Sequence, residues 1–376
     1  MQKYDIAAYV WPSYTGKELR ARQFWPDGIG EWQTVMSVPS RMCRKPADYE
    51  WDRKPLWGCC DEADPKVMEM QINEATRHGV NVFIYDWYWY DRRPFLEGCL
   101  NDGFLKAKNN KKMQFYLMWA NHNAGHLWNK ELSHTDVANE PVWVGAVDEA
   151  EFRRMSRRIA DKYFSIDNYY KIDGCPVFMI YEVGRLIEGM GSIEKTRLAL
   201  EEFRAYVKSL GFPGLHLQFT GRGEDTLNMS GVDDGDNSGM LEILHRLGAD
   251  SMTHYQFVHF TDIDRDYGEI MKDVRDEWAK IDQTYKMPYY PHVSCGWDNN
   301  PRYHTFRPGI VKNNTPEAFE AALRDAKDYI DSHPDRHPLI TINSWNEWTE
   351  TSYLEPDDLY GYGYLEAIKK VFKDGE

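Results

Sequence analysis

Two glutamates three positions apart, Glu347 and Glu350, stand in the segment Asn343-Ser344-Trp345-Asn346-Glu347-Trp348-Thr349-Glu350. An apolar run, Leu339–Trp345, precedes them and reads as a strand. Where such a strand gives way to a turn, side chains three apart can face one cavity. Cleavage of a glycosidic bond needs two carboxyl groups, one to protonate the leaving oxygen and one to act at the sugar. Trp345 and Trp348 alternate beside the glutamates. Apolar rings of that size desolvate a carboxyl and raise its pKa into the range of a general acid. The plainer alternative is that Glu350 caps a helix or pairs with an arginine.

Other chemistries find less support. There is no GxSxG, no P-loop and no GxGxxG after a strand. His122 and His126 have an HxxxH spacing, but no Glu follows His122 as a zinc-binding helix requires. No metal or cofactor is therefore expected. A loop Ca²⁺ near Asp233, Asp234 and Asp236 is conceivable, although a solvated acidic turn explains them as well.

Eight short apolar or aromatic runs would position the glutamates: Asp5–Trp11, Asn81–Trp89, Gln114–Asn121, Pro176–Glu182, Leu215–Phe219, Asp250–Tyr255, Tyr289–Cys295 and Leu339–Trp345. Near-continuous apolar runs fit strands buried on both faces. Amphipathic segments alternate with most of them: Pro65–His78, Asp148–Tyr163, Ile193–Leu210, Tyr267–Thr284, the stretch from Thr315-Pro316 to Ser332, and Tyr364–Phe372. Eight βα repeats predict an α/β fold, a single (β/α)₈ TIM barrel spanning residues 1–376 as one catalytic domain. Three long connections, Pro12–Asp64, His122–Val147 and Thr220–Met240, leave the C-terminal ends of strands, the face that carries active sites in such barrels. The Gly- and Asp-rich Thr220–Met240 reads equally as a solvated loop or a lid.

The strand ends supply candidate substrate contacts. Asp86, Tyr88 and Tyr255 are placed to hydrogen-bond sugar hydroxyls, and Asn121 and His122 to orient them. Trp119, Trp297 and Trp348 are candidates to stack on sugar rings, and Asn346 to orient Glu347. Core packing stays open as the alternative for each.

Composition narrows the partners. The 376 residues carry a formal charge of −15, which repels phosphate backbones and anionic lipid, so nucleic acid is not expected. Aromatic residues make up 14% of the chain, with 14 Trp and 24 Tyr, and their flat faces suit a carbohydrate. No apolar run reaches the roughly 18 residues of a membrane span. Cys43, Cys59, Cys60, Cys99, Cys175 and Cys295 show no CxxC or Cys/His metal spacing and read as free thiols. Free thiols and a first strand near Asp5 predict a cytoplasmic location, or a periplasmic or secreted one for a chain stripped of a leader. The oligomeric state is not legible.

Longer motifs carry a resemblance. NSWNEWTETSYLEPD resembles the closing signature of WbsX-type proteins, which are related to glycoside hydrolase family 99, the endo-α-mannosidases and endo-α-mannanases. DIAAYVWPSY, LWGCCDEADPKV, GVNVFIYDWYWYD, PFLEGCLNDGFLKA and LMWANH look like the same family, from about Asp5 to Val371. The resemblance implies a (β/α)₈ barrel and retaining hydrolysis of an α-linked mannose- or rhamnose-type sugar. It also implies a route in which Glu347 takes the proton of the sugar's own 2-hydroxyl, that oxygen closes a 1,2-anhydro sugar, and Glu350 is acid and base at the leaving group. Family 99 carries His and Gly around its second Glu, where this chain has Thr349 and Thr351. The family name also implies a rival, a glycosyltransferase of O-antigen assembly. Asp262-Ile263-Asp264 and Asp234-Gly235-Asp236 match its metal-binding Asp-x-Asp literally. A further rival is a non-catalytic carbohydrate-binding barrel.

Overall fold

The computed structural model describes residues 3–41, 45–138, 140–222, 239–284 and 287–373. Eight parallel strands follow one another around a barrel: β1 Asp5–Val10, β2 Val82–Tyr90, β3 Gln114–Trp119, β4 Cys175–Ile180, β5 His216–Gly221, β6 Ser251–His254, β7 His292–Ser294 and β8 Leu339–Asn343. Chain order is spatial order, and β8 returns to pair with β1, Asp5 opposite Leu339. Between β6 and β7 the ring closes through a parallel bridge, Met252 opposite Tyr289. There the Tyr290 N–H donates to Met252 O at 2.9 Å.

These residues form strands because they are β-branched or aromatic and buried on both faces; all nine positions of β2 are buried. The barrel interior also holds polar side chains, each with a partner. Tyr116 donates to Gln218 at 2.9 Å. The Thr253 and Thr341 hydroxyls share a 2.7 Å hydrogen bond.

Helix α1 Trp32–Arg41 sits at the mouth beside Asn300–Arg302 and Trp348–Glu350, and the others wrap the outside: α2 Pro65–His78, α3 Glu149–Ile159, α4 Val183–Met190, α5 Ile193–Ser209, α6 Met240–Arg246, α7 Tyr267–Thr284, α8 Pro316–Asp331 and α9 Gly363–Phe372. The stop and start signals act locally. Asp64 accepts from the Lys66 N–H ahead of Pro65 at the start of α2, and Gly79, at φ 103°, ends it. Thr315 caps α8 by accepting from Ala318 N at 3.3 Å. Helix α3 is shorter than the predicted Asp148–Tyr163 because its last turn widens into a π-helical turn, Ala160–Phe164. The short α1, α4 and α6 lie inside stretches that sequence periodicity does not resolve.

Cys59, Cys60, Cys99, Cys175 and Cys295 are unpaired thiols, and Cys43 lies outside the described residues. No described helix is long and apolar enough to cross a membrane.

Phe83 of β2 lies between barrel and helices, its ring centroid 5.1 Å from Trp345 and 6.2 Å from Phe104. Phe83→Ala leaves a cavity directly beneath the segment that carries Glu347. It is expected to cost about 3–5 kcal/mol, read from the urea midpoint at constant slope.

Candidate active site

Beyond β8 the chain turns back on itself. Asn346–Glu347 pairs antiparallel with Ser352–Tyr353, and a 3₁₀ turn, Trp348–Glu350, joins the two. Trp345 N donates to Tyr9 O at 2.7 Å, which fixes the hairpin to β1. Glu347 N donates to the Ser344 hydroxyl at 2.8 Å. Thr351 adopts φ 52°, a conformation costly for a β-branched residue. Two bonds hold it there: its hydroxyl donates to Asp298 O at 2.9 Å and accepts from the Trp51 indole at 2.8 Å.

A cavity of about 360 Å³ opens at this mouth, and Glu347 and Glu350 both line it. Its walls include Trp11 after β1, Asp86 and Tyr88 of β2, His122 after β3, Tyr181 and Glu182 after β4, Arg222 after β5, Tyr255 after β6 and Arg302 after β7. Trp128 comes from the 3₁₀ turn His126–Trp128, within the long connection after β3. Its ring lies 5.2 Å from that of Trp11 and 5.8 Å from that of Tyr88, so three aromatic faces meet on one wall.

One guanidinium joins the two glutamates. Arg302 donates through Nη1 to Glu350 Oε1 at 2.7 Å, through Nη2 to Glu347 Oε1 at 2.8 Å and through Nε to the Thr349 hydroxyl at 3.0 Å. The plain expectation that Glu350 pairs with an arginine is thus met, but by an arginine shared with Glu347 inside the cavity. Behind it lies a third buried carboxyl, Glu31, 3.8 Å from Arg302 Nε. Glu31 accepts from Thr349 at 3.1 Å, from Ser13 at 3.3 Å and from the Trp11 indole.

The electrostatics follow from burial. Burial pushes the Glu347 carboxyl well above the ordinary range, the Glu350 charge adds to this, and Arg302 opposes it. Burial raises Glu350 and Glu31 too, again against Arg302. Three buried carboxyls thus share one cation, each pushed upward by burial and drawn back by Arg302, so their titrations are coupled, the arrangement in which one member of a pair can act as acid and the other as base. Burial also raises Asp86 well above its usual value, against the hydrogen bond from Tyr255. Glu350 Oε2 and Asp86 Oδ1 are buried without a hydrogen-bond partner. Buried oxygens of this kind suit hydroxyl donors from a ligand. Burial lowers the His122 imidazole to about 4, so at neutral pH it acts as a neutral hydrogen-bonding ring.

The structure brings Asp86, Tyr88, His122 and Tyr255 together with the two glutamates around the cavity. The other expected contacts lie elsewhere. Trp119 is fully buried and packs on Phe152 of α3, at 5.9 Å. Its neighbours Met118 and Ala120 line the cavity, and side chains alternate along a strand, so Trp119 must face outward. Asn121 ties loops together, donating to Glu182 O and accepting from Glu182 N, both at 2.7 Å. Trp348 stacks on Tyr353 at 3.8 Å and donates to Glu355 at 2.7 Å. Trp297 packs half-buried against the core, outside the cavity wall. Asn346 clamps the Trp11 backbone and donates to Glu62 at 2.8 Å, so it anchors the hairpin without touching the Glu347 carboxyl.

Sequence reading missed Arg302, Glu31, Trp11, Trp128, Tyr181 and Arg222. The one available signal for Arg302 was the need of two clustered carboxyls for a countercharge, with Arg302 standing in the loop after β7. Asp262 and Asp264 do not line the cavity; Asp264 pairs with Lys312 at 2.9 Å. Asp233, Asp234 and Asp236 lie outside the described residues, as does most of Thr220–Met240. Among the described residues no cluster of three His, Cys, Asp or Glu could hold a metal.

Tyr255 donates to Asp86 Oδ2 at 3.0 Å, the one hydrogen bond this carboxyl receives among the described residues. Tyr255→Phe should loosen Asp86 and raise about tenfold the KM for any substrate that Asp86 holds, with a smaller change in kcat. Steady-state kinetics on a variant with an unchanged circular dichroism spectrum checks it.

The family model described as Glycosyltransferase WbsX matches residues 6–368. The chain belongs to the WbsX family. Two curated relatives, each an uncharacterized protein WxcX of Xanthomonas campestris pv. campestris (strains B100 and ATCC 33913), are 25% identical over 350 residues, 93% of this WbsX-family chain. The chain spans about half the length of these relatives, 47%. Among solved structures, the GH99 endo-alpha-mannosidase from Bacteroides thetaiotaomicron superposes with a TM-score of 0.62 at 13% identity, over 97% of this chain and 95% of that one. A glycoside hydrolase-like protein gives 0.59 at 14% identity, over 99% and 95%. The WbsX chain thus shares the (β/α)₈ barrel fold of these two structures.

Proposed function

We propose that this WbsX-family chain is a retaining glycoside hydrolase for α-linked mannose- or rhamnose-type sugars. The observation that carries this reading is the shared cavity of Glu347 and Glu350, with Glu350 Oε2 unengaged and Trp11, Tyr88 and Trp128 among the lining residues. In the carried-over roles, Glu347 removes the proton of the 2-hydroxyl, and that oxygen displaces the leaving group to close a 1,2-anhydro sugar. Glu350 gives its proton to the departing oxygen. Water then opens the anhydro ring, its proton passing to Glu350, while Glu347 returns one to the 2-oxygen. The route requires a 2-hydroxyl trans to the leaving group, as in α-mannosides and α-rhamnosides. The internal nucleophile is already positioned, which removes an entropic barrier. Thr349, where family 99 has His, ties Arg302 and Glu31 to the pair.

A glycosyltransferase reading is favoured by the family's description alone. The described Asp262-Ile263-Asp264 is engaged away from the cavity, which weighs against it as the metal-binding motif such an enzyme needs.

A panel of α-mannosides and α-rhamnosides, read by product mass, tests the reaction. A paired substitution tests the roles. Glu350→Gln should lose about 10²–10⁴-fold on natural linkages but far less on an aryl glycoside, whose leaving group needs no acid. Glu347→Gln should lose activity on both. The opposite pattern would exchange the two roles, and azide rescue of Glu347→Ala to an inverted glycosyl azide would make Glu347 a direct nucleophile.

A further inference from the structure

The cavity holds a second guanidinium that the hydrolytic reading does not use. Arg222, one residue past β5, lines the wall beside His122, Tyr181 and Glu182. Its guanidinium lies 4.6 Å from the centroid of the Tyr181 ring. Its Nε is buried and has no hydrogen-bond partner. Among the described residues no carboxylate lies within ion-pair distance of it, in contrast to Arg302, whose three nitrogens each donate to Thr349, Glu350 or Glu347.

A tyrosine ring attracts a guanidinium through its negative face, but this contact satisfies none of the N–H donors. Five donors in a rigid fork match a planar or tetrahedral oxyanion two at a time. The neighbours fit that use. Tyr181 is oriented by a 3.4 Å contact of its hydroxyl with His259 Nε2. His122 lines the same wall with its Nδ1 engaged by Asn123 O at 2.9 Å and its ring 5.7 Å from that of Tyr181. Glu182 also lines this wall and works against an anion there, while Asn121 fixes its backbone through Glu182 O and N.

The geometry points to Arg222 as an anion-recognition subsite, so that the saccharide bound in this cavity carries an acidic group, a carboxylate or a sulfate or phosphate ester, against the Tyr181 wall. This rests on the cavity being a saccharide site. The net charge of −15 repels a polyanion at a distance, so the fit is to an isolated acidic group within an otherwise neutral glycan.

The test is a calorimetric titration of the full chain carrying Glu347→Gln, so that ligands are not consumed. The probes are a mannose disaccharide and its C6-carboxylate, 6-sulfate and 6-phosphate forms, with the acidic group on either sugar unit. At least one acidic form should bind about tenfold or more tightly than the neutral disaccharide, and the one that does identifies the oxyanion. Adding Arg222→Gln should collapse that ratio to near one, and Arg222→Lys should restore part of it. Equal binding of neutral and acidic forms, or a preference that survives Arg222→Gln, overturns the subsite while leaving the hydrolase reading intact. Failure of every probe to bind overturns both.

Discussion

Replacing Arg302 with Met is expected to cut kcat/KM at pH 7 by about 10²–10³-fold, the scale on which single preorganised charges act in water-excluded sites. The side chain is nearly isosteric along its stem, so the change is one of charge. Arg302 donates to one oxygen each of Glu347 and Glu350 and lies against Glu31. In all three carboxyls it opposes the upward push of burial. Without it each carboxyl moves further up, and the base of the pair is protonated over more of the neutral range. The ascending limb of kcat/KM against pH should therefore shift to higher pH, and part of the activity should return in alkaline buffer. Arg302→Lys keeps the charge but loses the fork that reaches both glutamates, so its limb should lie between the other two. A profile for Arg302→Met with an unshifted limb would show that the guanidinium is structural and does not tune the pair.

How much of this was legible in the sequence follows from the range of each interaction. All eight barrel strands coincide with apolar runs, since burial on both faces is written residue by residue. Helix ends such as Thr315-Pro316 and Gly79 are equally local. The glutamate pair was legible because both members stand on one turn. Arg302 and Glu31 were not, for they reach the pair from loops 45 and 316 positions away from Glu347, and nothing nearby in the sequence marks them. Strand parity separates the aromatic candidates. Asp86 and Tyr88 share one parity of β2 and face the cavity. Trp87 and Trp89 share the other, and they stack on each other at 5.7 Å outside it. The same alternation sends Trp119 outward. A strand-end aromatic is therefore informative about a ligand only once its face is known.

A large pH-dependent stability effect should come from a carboxyl pair behind the hairpin that carries Glu347. Glu62 and Glu355 are buried and linked by Gln71, whose amide donates to Glu62 at 3.3 Å and to Glu355 at 2.8 Å. Each holds a neighbour of Glu347: Glu62 accepts from Asn346 at 2.8 Å, and Glu355 accepts from the Trp348 indole at 2.7 Å. Burial pushes Glu62 up to about 7. Burial, then the charge of Glu62, drives Glu355 well above the usual carboxylate range. Because these pKa values are higher folded than unfolded, the folded chain binds more protons. Stability is then full below the unfolded pKa, near 4.5, and falls as pH rises towards 7, the reverse of an ordinary salt-bridged carboxylate. Glu62 alone accounts for about 3 kcal/mol at about 1.4 kcal/mol per pKa unit. Glu347, Glu350 and Glu31 titrate in the same sense, so the wild-type slope contains more than this pair. Its share is isolated by Glu355→Gln, which keeps the acceptor for Trp348 but removes the charge. Urea midpoints measured from pH 5 to 8 should converge at the acid end, with the variant more stable at pH 8. Parallel curves would mean that Glu355 titrates alike in the folded and unfolded chain, and that burial behind the hairpin does not raise it.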